Sequence, residues 1–383
     1  MAARPLTTLL PVTSAPSPVP GPRIRWRRGR VTELGRSWRD AQEMTVEVPG
    51  DGTLTALAHP SLVGSPEVGD EVLLNTTAWA QRLGTGGYAL VVAVPDRLPA
   101  DPTGPGHLVK GRYTPTQVTV QGVDEQETEH HRLIAEAEDL GDMPVVVADL
   151  HSALPAVIAG VHADAPGARV AYVMTDGGAL PAAFSRTLDA LADSLAGVVT
   201  VGQAFGGDLE AVTVHTGLLA ARHVLRADVT VVTQGPGNLG TGTPWGFSGV
   251  AAGEVCNAVH VLGGQTVGAL RISDADPRPR HRGVSHHSLT AFGRVALGGV
   301  YLVAPRGLGS DLGSQVEEDL AGQPQRNPIE WVDSDGLETA LRDVGVPLST
   351  MGRGLDEDRA YFLAAAAAGR YAAQLTLFGP LPA

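Results

Sequence analysis

The chain has 383 residues and a formal charge of −13, with 28 Lys plus Arg against 41 Asp plus Glu. That length allows one large or two medium domains, and the acidic balance argues against bulk binding of a phosphate backbone. Cys256 is the sole cysteine, which excludes an intrachain disulfide and a thiolate metal cluster and fits a reducing, cytoplasmic setting.

No apolar run approaches the roughly 20 residues of a membrane helix, so no membrane partner is expected. Residues 1–22 read as a disordered tail. Leu6 to Leu10 is too short for the core of a signal peptide, and prolines interrupt the residues after it.

Residues 23–95 alternate apolar and polar positions and are cut by turn signals at Pro49-Gly50-Asp51-Gly52, Gly69-Asp70 and Gly84 to Gly87. Short strands at that spacing, with no helical stretch between them, predict a small β-barrel. Its Arg23, Arg25, Arg27, Arg28 and Arg30, with Trp26 among them, form the chain's main basic cluster. The cluster reads either as a nucleic-acid face or as a solvated edge strand whose charges deter aggregation. The acidity of the rest and the lack of a second aromatic platform favour the edge strand, so nucleic acid is not an expected partner.

Residues 96–142 predict a crossing segment, with a strand near Gln117 to Val120, and a linker helix over Asp124 to Leu140. Adjacent helical side chains point about 100° apart, so His130 and His131 read as surface residues and not as metal ligands.

From 143 to 305 strands and helices alternate. Strands are predicted at Pro144 to Ala148, Arg169 to Met174, Val198 to Val201, Val229 to Val232, Thr266 to Ile272 and Val300 to Val303. Helices are predicted between them, at Ser152 to Ala163, Leu180 to Leu195, Leu209 to Leu225, Ser248 to Val261 and His286 to Leu297. This is the pattern of an α/β fold, a Rossmann-like doubly wound and mostly parallel sheet of about six strands. Residues 306–383 predict C-terminal helices, near Gly336 to Val344 and over the alanine-rich Asp356 to Leu375. Their small residues suit close packing on the α/β domain or on a second subunit, which leaves a homo-oligomer open.

Ligands of open parallel sheets bind beyond the C-terminal strand ends. Polar and glycine-rich segments gather at those ends in this sequence. Asp149 and His151 come after the first strand, where D-x-H suits a divalent metal, with Asp208 as a third ligand, or a base and its orienter. The plain alternative is a capping Asp and a backbone-bonded His. Asp176-Gly177-Gly178 comes after the second strand, and Gln203 with Gly206-Gly207-Asp208 after the third; each reads as an anion-binding turn or simply a tight one. After the fourth strand, Gly235, Gly237, Asn238, Gly240, Thr241, Gly242 and Thr243 form a loop that lacks the Lys of a Walker motif and the spacing of a dinucleotide fingerprint. Its glycines and hydroxyls suit a cradle for phosphate, carboxylate or nucleotide. After the fifth, Arg271 leads to Asp274, Asp276, Arg278, Arg280, His281 and Arg282, and then to Ser285-His286-His287. Ser285 reads as an N-cap, and imidazoles in a first helical turn are held neutral, as a base or ligand must be.

VLLNTTA, LGTGGYALV, YVMTDGGALPAAFSR, GQAFGGDLEAV, GPGNLGTGTPWGFSG and RISDADPRPRHRGVSHH together resemble an uncharacterised bacterial family known only as a domain of unknown function. The resemblance spans nearly everything after the tail and implies a shared fold; it supplies no activity and no catalytic residues.

The residues themselves lead to an expected function, a cytosolic enzyme acting on a small anionic ligand such as a nucleotide or phosphorylated metabolite, with hydrolysis favoured. The glycine loop would hold the anion, and His286 or His287 would act as base, oriented by Asp149 or Asp176. Arg271 would offset developing charge, and a divalent metal on Asp149, His151 and Asp208 would assist. The alternatives are a non-catalytic ligand sensor or assembly protein and, last, a nucleic-acid binder through the barrel.

Overall fold

A computed structural model describes residues 21–83 and 86–378. The tail expected over 1–22 therefore lies almost wholly outside the described residues, as do Gly84 and Thr85 of the turn read at Gly84 to Gly87. Strands β1 (Trp26–Trp38), β2 (Ala41–Val48), β3 (Gly52–Ala58), β4 (Glu71–Asn75) and β5 (Ala89–Ala93) close into a barrel in the order β1-β2-β3-β5-β4. Val31, Met44, Val46, Leu54, Val72 and Leu74 fill it, one face of each alternating strand. The arginines of β1 and its lead-in are paired locally: Arg25 and Arg27 with Asp51, and Arg28 with Glu71. Arg30 donates to the carbonyl of Gly69.

A hairpin of β6 (Leu108–Lys110) and β7 (Val118–Val120) leads out of the barrel. The linker helix is shorter than its sequence pattern suggests, running only over His131–Glu136. Before it, Thr128 bonds the carbonyls of Val123 and Glu125, a side-chain turn that competes with helix.

The second body is an eight-stranded sheet of β8 (Pro144–Val147), β9 (Val170–Thr175), β10 (Gly197–Thr200), β11 (Leu209–Glu210), β12 (Val229–Gln234), β13 (Gln265–Ala269), β16 (Tyr301–Pro305) and β17 (Ile329–Val332). Between β13 and β16 the chain forms a small hairpin, β14 (Ile272–Ser273) with β15 (Gly283–Val284). The sheet order is β11-β10-β9-β12-β8-β13-β16-β17, and every neighbouring pair is parallel. Alternate side chains feed two cores: Val146, Tyr172, Val198 and Val231 on one face, Val145, Val173, Val199 and Val232 on the other. Helices cover both faces, as a doubly wound α/β fold requires.

The sheet gains two edge strands beyond the six expected. Leu209 and Glu210, expected to begin a helix, form β11 because Glu210 bonds Lys110, Thr200 and the Gly206 amide; the helix starts only at Val214. At the other edge, β17 and the helix Ser310–Ala321 are elements the sequence pattern did not indicate.

The alanine-rich helix, Arg359–Phe378, is buried all round from Ala360 to Ala373, where the one charged side chain, Arg370, is paired with Asp164. It lies across β8, β13 and β16 and against the helix Leu154–Asp164. A side chain at Gly160 would collide with the carbonyl of Ala366, and one at Gly369 with that of Val157. Its faces are taken by its own chain, so an oligomer would need another surface. No helix among the described residues is long and apolar enough to cross a membrane.

Candidate active site

The strand order reverses around β8. The chain runs outward from β8 through β9 and β10 to β11, returns as β12 between β9 and β8, and then crosses to β13 on the far side. Such a reversal leaves a crevice at the C-terminal strand ends. Asp149 lies just past β8 there, Gln234 ends β12, and Arg271 lies just past β13. Gln234 donates to the carbonyl of Asp149 and locks the two central ends together.

The β14–β15 hairpin brings the histidines to Asp149. Arg271 fixes its far end through two backbone bonds: its amide donates to Ser288 Oγ, and its carbonyl accepts from Ser285 N. Ser285 caps the helix His286–Thr290 by accepting from the amide of His287, as its position before the histidines suggested. The Ser285 hydroxyl also meets His281 Nδ1 at 2.7 Å. His281, His286 and His287 thus come together, with one ring nitrogen from each lying within 4.8 Å of the others. The ring centroids are 4.5–5.1 Å apart.

His287 is held on two sides. Its Nδ1 lies 3.1 Å from Asp149 Oδ2, and Phe247 stacks flat on the ring at 3.7 Å with a 2° interplanar angle. Phe247 ends the glycine loop, so that loop helps to orient a histidine. Gly249 allows the approach, because a Cβ there would lie 2.9 Å from the Asp149 side chain.

Burial pushes His281 down to about 3 and His286 down to about 4, and the charges of Arg271 and neighbouring cations act the same way. Both are neutral at pH 7. Asp149 stays ionised: burial works against its charge, but the His287 bond and the Arg271 charge hold its pKa below the ordinary value. His286 Nε2 is buried and has no hydrogen-bond partner. The same residue lines a cleft of about 650 Å³ with Gly242, Pro244, Arg280, Arg294 and Gln323. Arg294 lies over the Trp245 ring at 4.1 Å.

The chain belongs to the family described as "Protein of unknown function (DUF3866)". The family's profile matches residues 55–369, which takes in the whole sheet and the later part of the barrel. No curated protein matches the chain. In this DUF3866 protein every site role therefore rests on geometry.

The structure groups the sequence-predicted residues selectively. Asp149 bonds His287, and His286 packs against His287. Asp176 does not join them: its carboxylate accepts from the Gln203 amide and packs on Gly202, on the β10 side of the rim. Arg271 is buried between Asp149 at 3.9 Å and Asp276 at 3.2 Å, so its charge is matched within the protein and does not face the cleft. Asp276 also pairs with Arg278 and Arg353, and Arg353 with Asp358, which makes a buried chain of alternating charge.

The trio Asp149, His151 and Asp208 does not assemble. The ring nitrogens of His151 meet Tyr172 at 2.9 Å and Ser185 at 2.7 Å, and burial depresses its pKa to about 4. Asp208 accepts from the amide of Val198, at the opposite end of the sheet from Asp149.

Gly206 and Gly207 donate to Glu210 and Thr200, so those amides are spent inside the fold. Side chains at Gly177 and Gly178 would collide with Gln234 and the Gly235 carbonyl; these glycines permit strand-end contact. The glycine loop is a hairpin bonded to itself. Thr241 Oγ1 and Thr243 Oγ1 meet at 3.0 Å, Thr241 N donates to Gly246 O, and Asn238 accepts from Ser248 Oγ. Gly237 and Gly242 carry φ of +97° and +78°, turns that a side chain would strain. Sequence reasoning placed His281 on the rim without a role, and it gave Phe247 and Gly249 none. No spacing rule reports the His281–Ser285 contact, because strand β15 (Gly283–Val284) lies between them and the hairpin closes it.

Proposed function

We propose that this protein is a cytosolic bacterial enzyme that hydrolyses a small anionic substrate, a nucleotide or phosphorylated metabolite, in the cleft beside His286. One observation carries this reading: a single wall sets the edge of a three-imidazole cluster next to Arg280 and Arg294. Guanidinium groups suit phosphate oxygens, and the tip of the glycine loop, at Gly242 and Pro244, closes one side of the cleft. In the proposed reaction the oxygen of a water held at the imidazole edge bonds to the phosphorus. The ester P–O bond breaks, and the departing oxygen takes up a proton while the water's proton passes to solvent. Arg280 or Arg294 stabilises the charge that builds on the phosphoryl oxygens.

Turnover of a panel of phosphate esters tests it. Replacing both Arg280 and Arg294 by Ala is expected to raise KM by roughly 10–100-fold and to lower kcat as well, since the charge-assisted hydrogen bonds serve both the bound phosphate and the charge that builds on it. His286→Ala is expected to lower kcat by about 100-fold, with folding unchanged. Full turnover in His286→Ala sinks the reading. A ligand sensor is the second reading, supported by the buried position of Arg271, which leaves it out of charge development. It predicts ligands that raise the melting temperature and emerge unconverted.

A further inference from the structure

We propose that His281, His286 and His287 form a binding site for one divalent transition-metal ion of the zinc class, with Asp149 as the positioning residue. The inference deepens the hydrolase reading, on which its catalytic meaning rests, but the binding itself stands on geometry.

The site has the chemistry of a three-imidazole centre. Such a cation takes three protein nitrogens and keeps a fourth position for water or substrate. His287 already shows the arrangement common to metal-bound histidine: Nδ1 toward a buried carboxylate, leaving Nε2 for an ion. His281 repeats it with Ser285 in place of the carboxylate. His286 supplies the second, independent observation, a buried Nε2 that nothing in the protein satisfies. A buried unpaired nitrogen is destabilising by itself, and a cation would relieve it. The three nitrogens lie within 4.8 Å of one another, whereas a tetrahedral ion wants them roughly 3.3 Å apart. Closing that gap asks for movement mainly from His286, the ring that makes no hydrogen bond to a described residue at either nitrogen, whereas His281 and His287 are held through Nδ1.

Charge is compatible as well. Arg271 is the cation nearest Asp149, and it is matched by Asp149 and Asp276. His286 also lines the cleft, so the cluster borders the space a substrate would occupy. An ion there would lower the pKa of a bound water toward about 7 and so provide the attacking oxygen. The cluster also accounts for the flat stacking of Phe247, which sets one ligand plane and keeps solvent off it.

The test uses the full chain, stripped with a chelator and titrated with Co²⁺ as the probe. One Co²⁺ per chain is expected, with the intense visible bands of four- or five-coordination. His286→Ala is expected to weaken binding at least 100-fold while the metal-free chain stays folded, since the ring makes no hydrogen bond to a described residue. Asp149→Asn is expected to weaken binding by about 10–100-fold, and His131→Ala to leave it alone. If His281→Ala fails to fold, His286→Ala decides by itself. No uptake by the folded wild-type chain, or equal uptake by His286→Ala, overturns the site. Hydrolysis is assayed separately: turnover without metal binding removes the ion and keeps the enzyme, and binding without turnover of any ester does the reverse.

Discussion

Asp149 and Asp51 show how a single carboxylate can organise its surroundings. Asp149 sits buried beyond β8, bonds His287 and balances Arg271. Asp51 does similar work at the surface of the barrel. Its bonds to Arg25 and then Arg27 hold its pKa below the ordinary 3.8. A carboxyl depressed in the folded state stabilises above the unfolded value and loses that contribution as pH falls through the folded value. Asp51→Asn is therefore expected to lower the urea midpoint at neutral pH, and the two proteins should converge in strong acid. A gap of the same size at both extremes contradicts the pairing. At this scale the sequence was most readable where the signal is local. Ser285 as an N-cap depends on its neighbours alone, and it was legible. The partners of His151 depend on where Tyr172 and Ser185 arrive from other elements, and that of Asp208 on how the chain turns back along β10; no spacing rule reports either.

Among the elements, the helix Arg359–Phe378 sets the packing of one sheet face. Backbone of the helix Leu154–Asp164 approaches it so closely at Gly160 and Gly369 that a side chain has nowhere to go. Gly369→Val is expected to destabilise the protein by about 1–3 kcal/mol in urea unfolding, the usual penalty for overpacking. Gly313→Ala, in the helix Ser310–Ala321 with open space at its Cβ, is expected to stabilise by about 0.5–1 kcal/mol. Equal effects at the two positions would refute the close-packing account. Periodicity identified the central strands and the long helices because their apolar spacing is unambiguous. It missed β11, only two residues long, because a buried Lys110–Glu210 pair at 2.7 Å overrides helical propensity there. It overextended the linker helix for a like reason, a turn built by Thr128.

For the molecule as a whole, net acidity hides a local division of charge. The chain carries −13 overall; near the strand ends Arg271 and Arg278 are matched by Asp149 and Asp276, while Arg280 and Arg294 line the cleft beside His286. The barrel docks beside the sheet through Trp38, whose indole donates to the Ala183 carbonyl at 2.7 Å and lies under Arg186. The convergence of the crossover turns on one edge was legible, since the alternation of strands and helices implies parallel pairing, which puts the C-terminal strand ends together; the strand order was not. Which of those turns hold reactive groups was not, because Asp176 and Gly206 to Asp208 spend their polar atoms on the fold. The measurement that tests the central claim most directly is an anomalous-difference map at the zinc edge, from crystals of the full chain grown with Zn²⁺. The expected result is one dominant peak about 2.0–2.1 Å from a nitrogen of each of His281, His286 and His287. Peaks confined to surface histidines such as His130, or none beside a well-ordered His286, would contradict it.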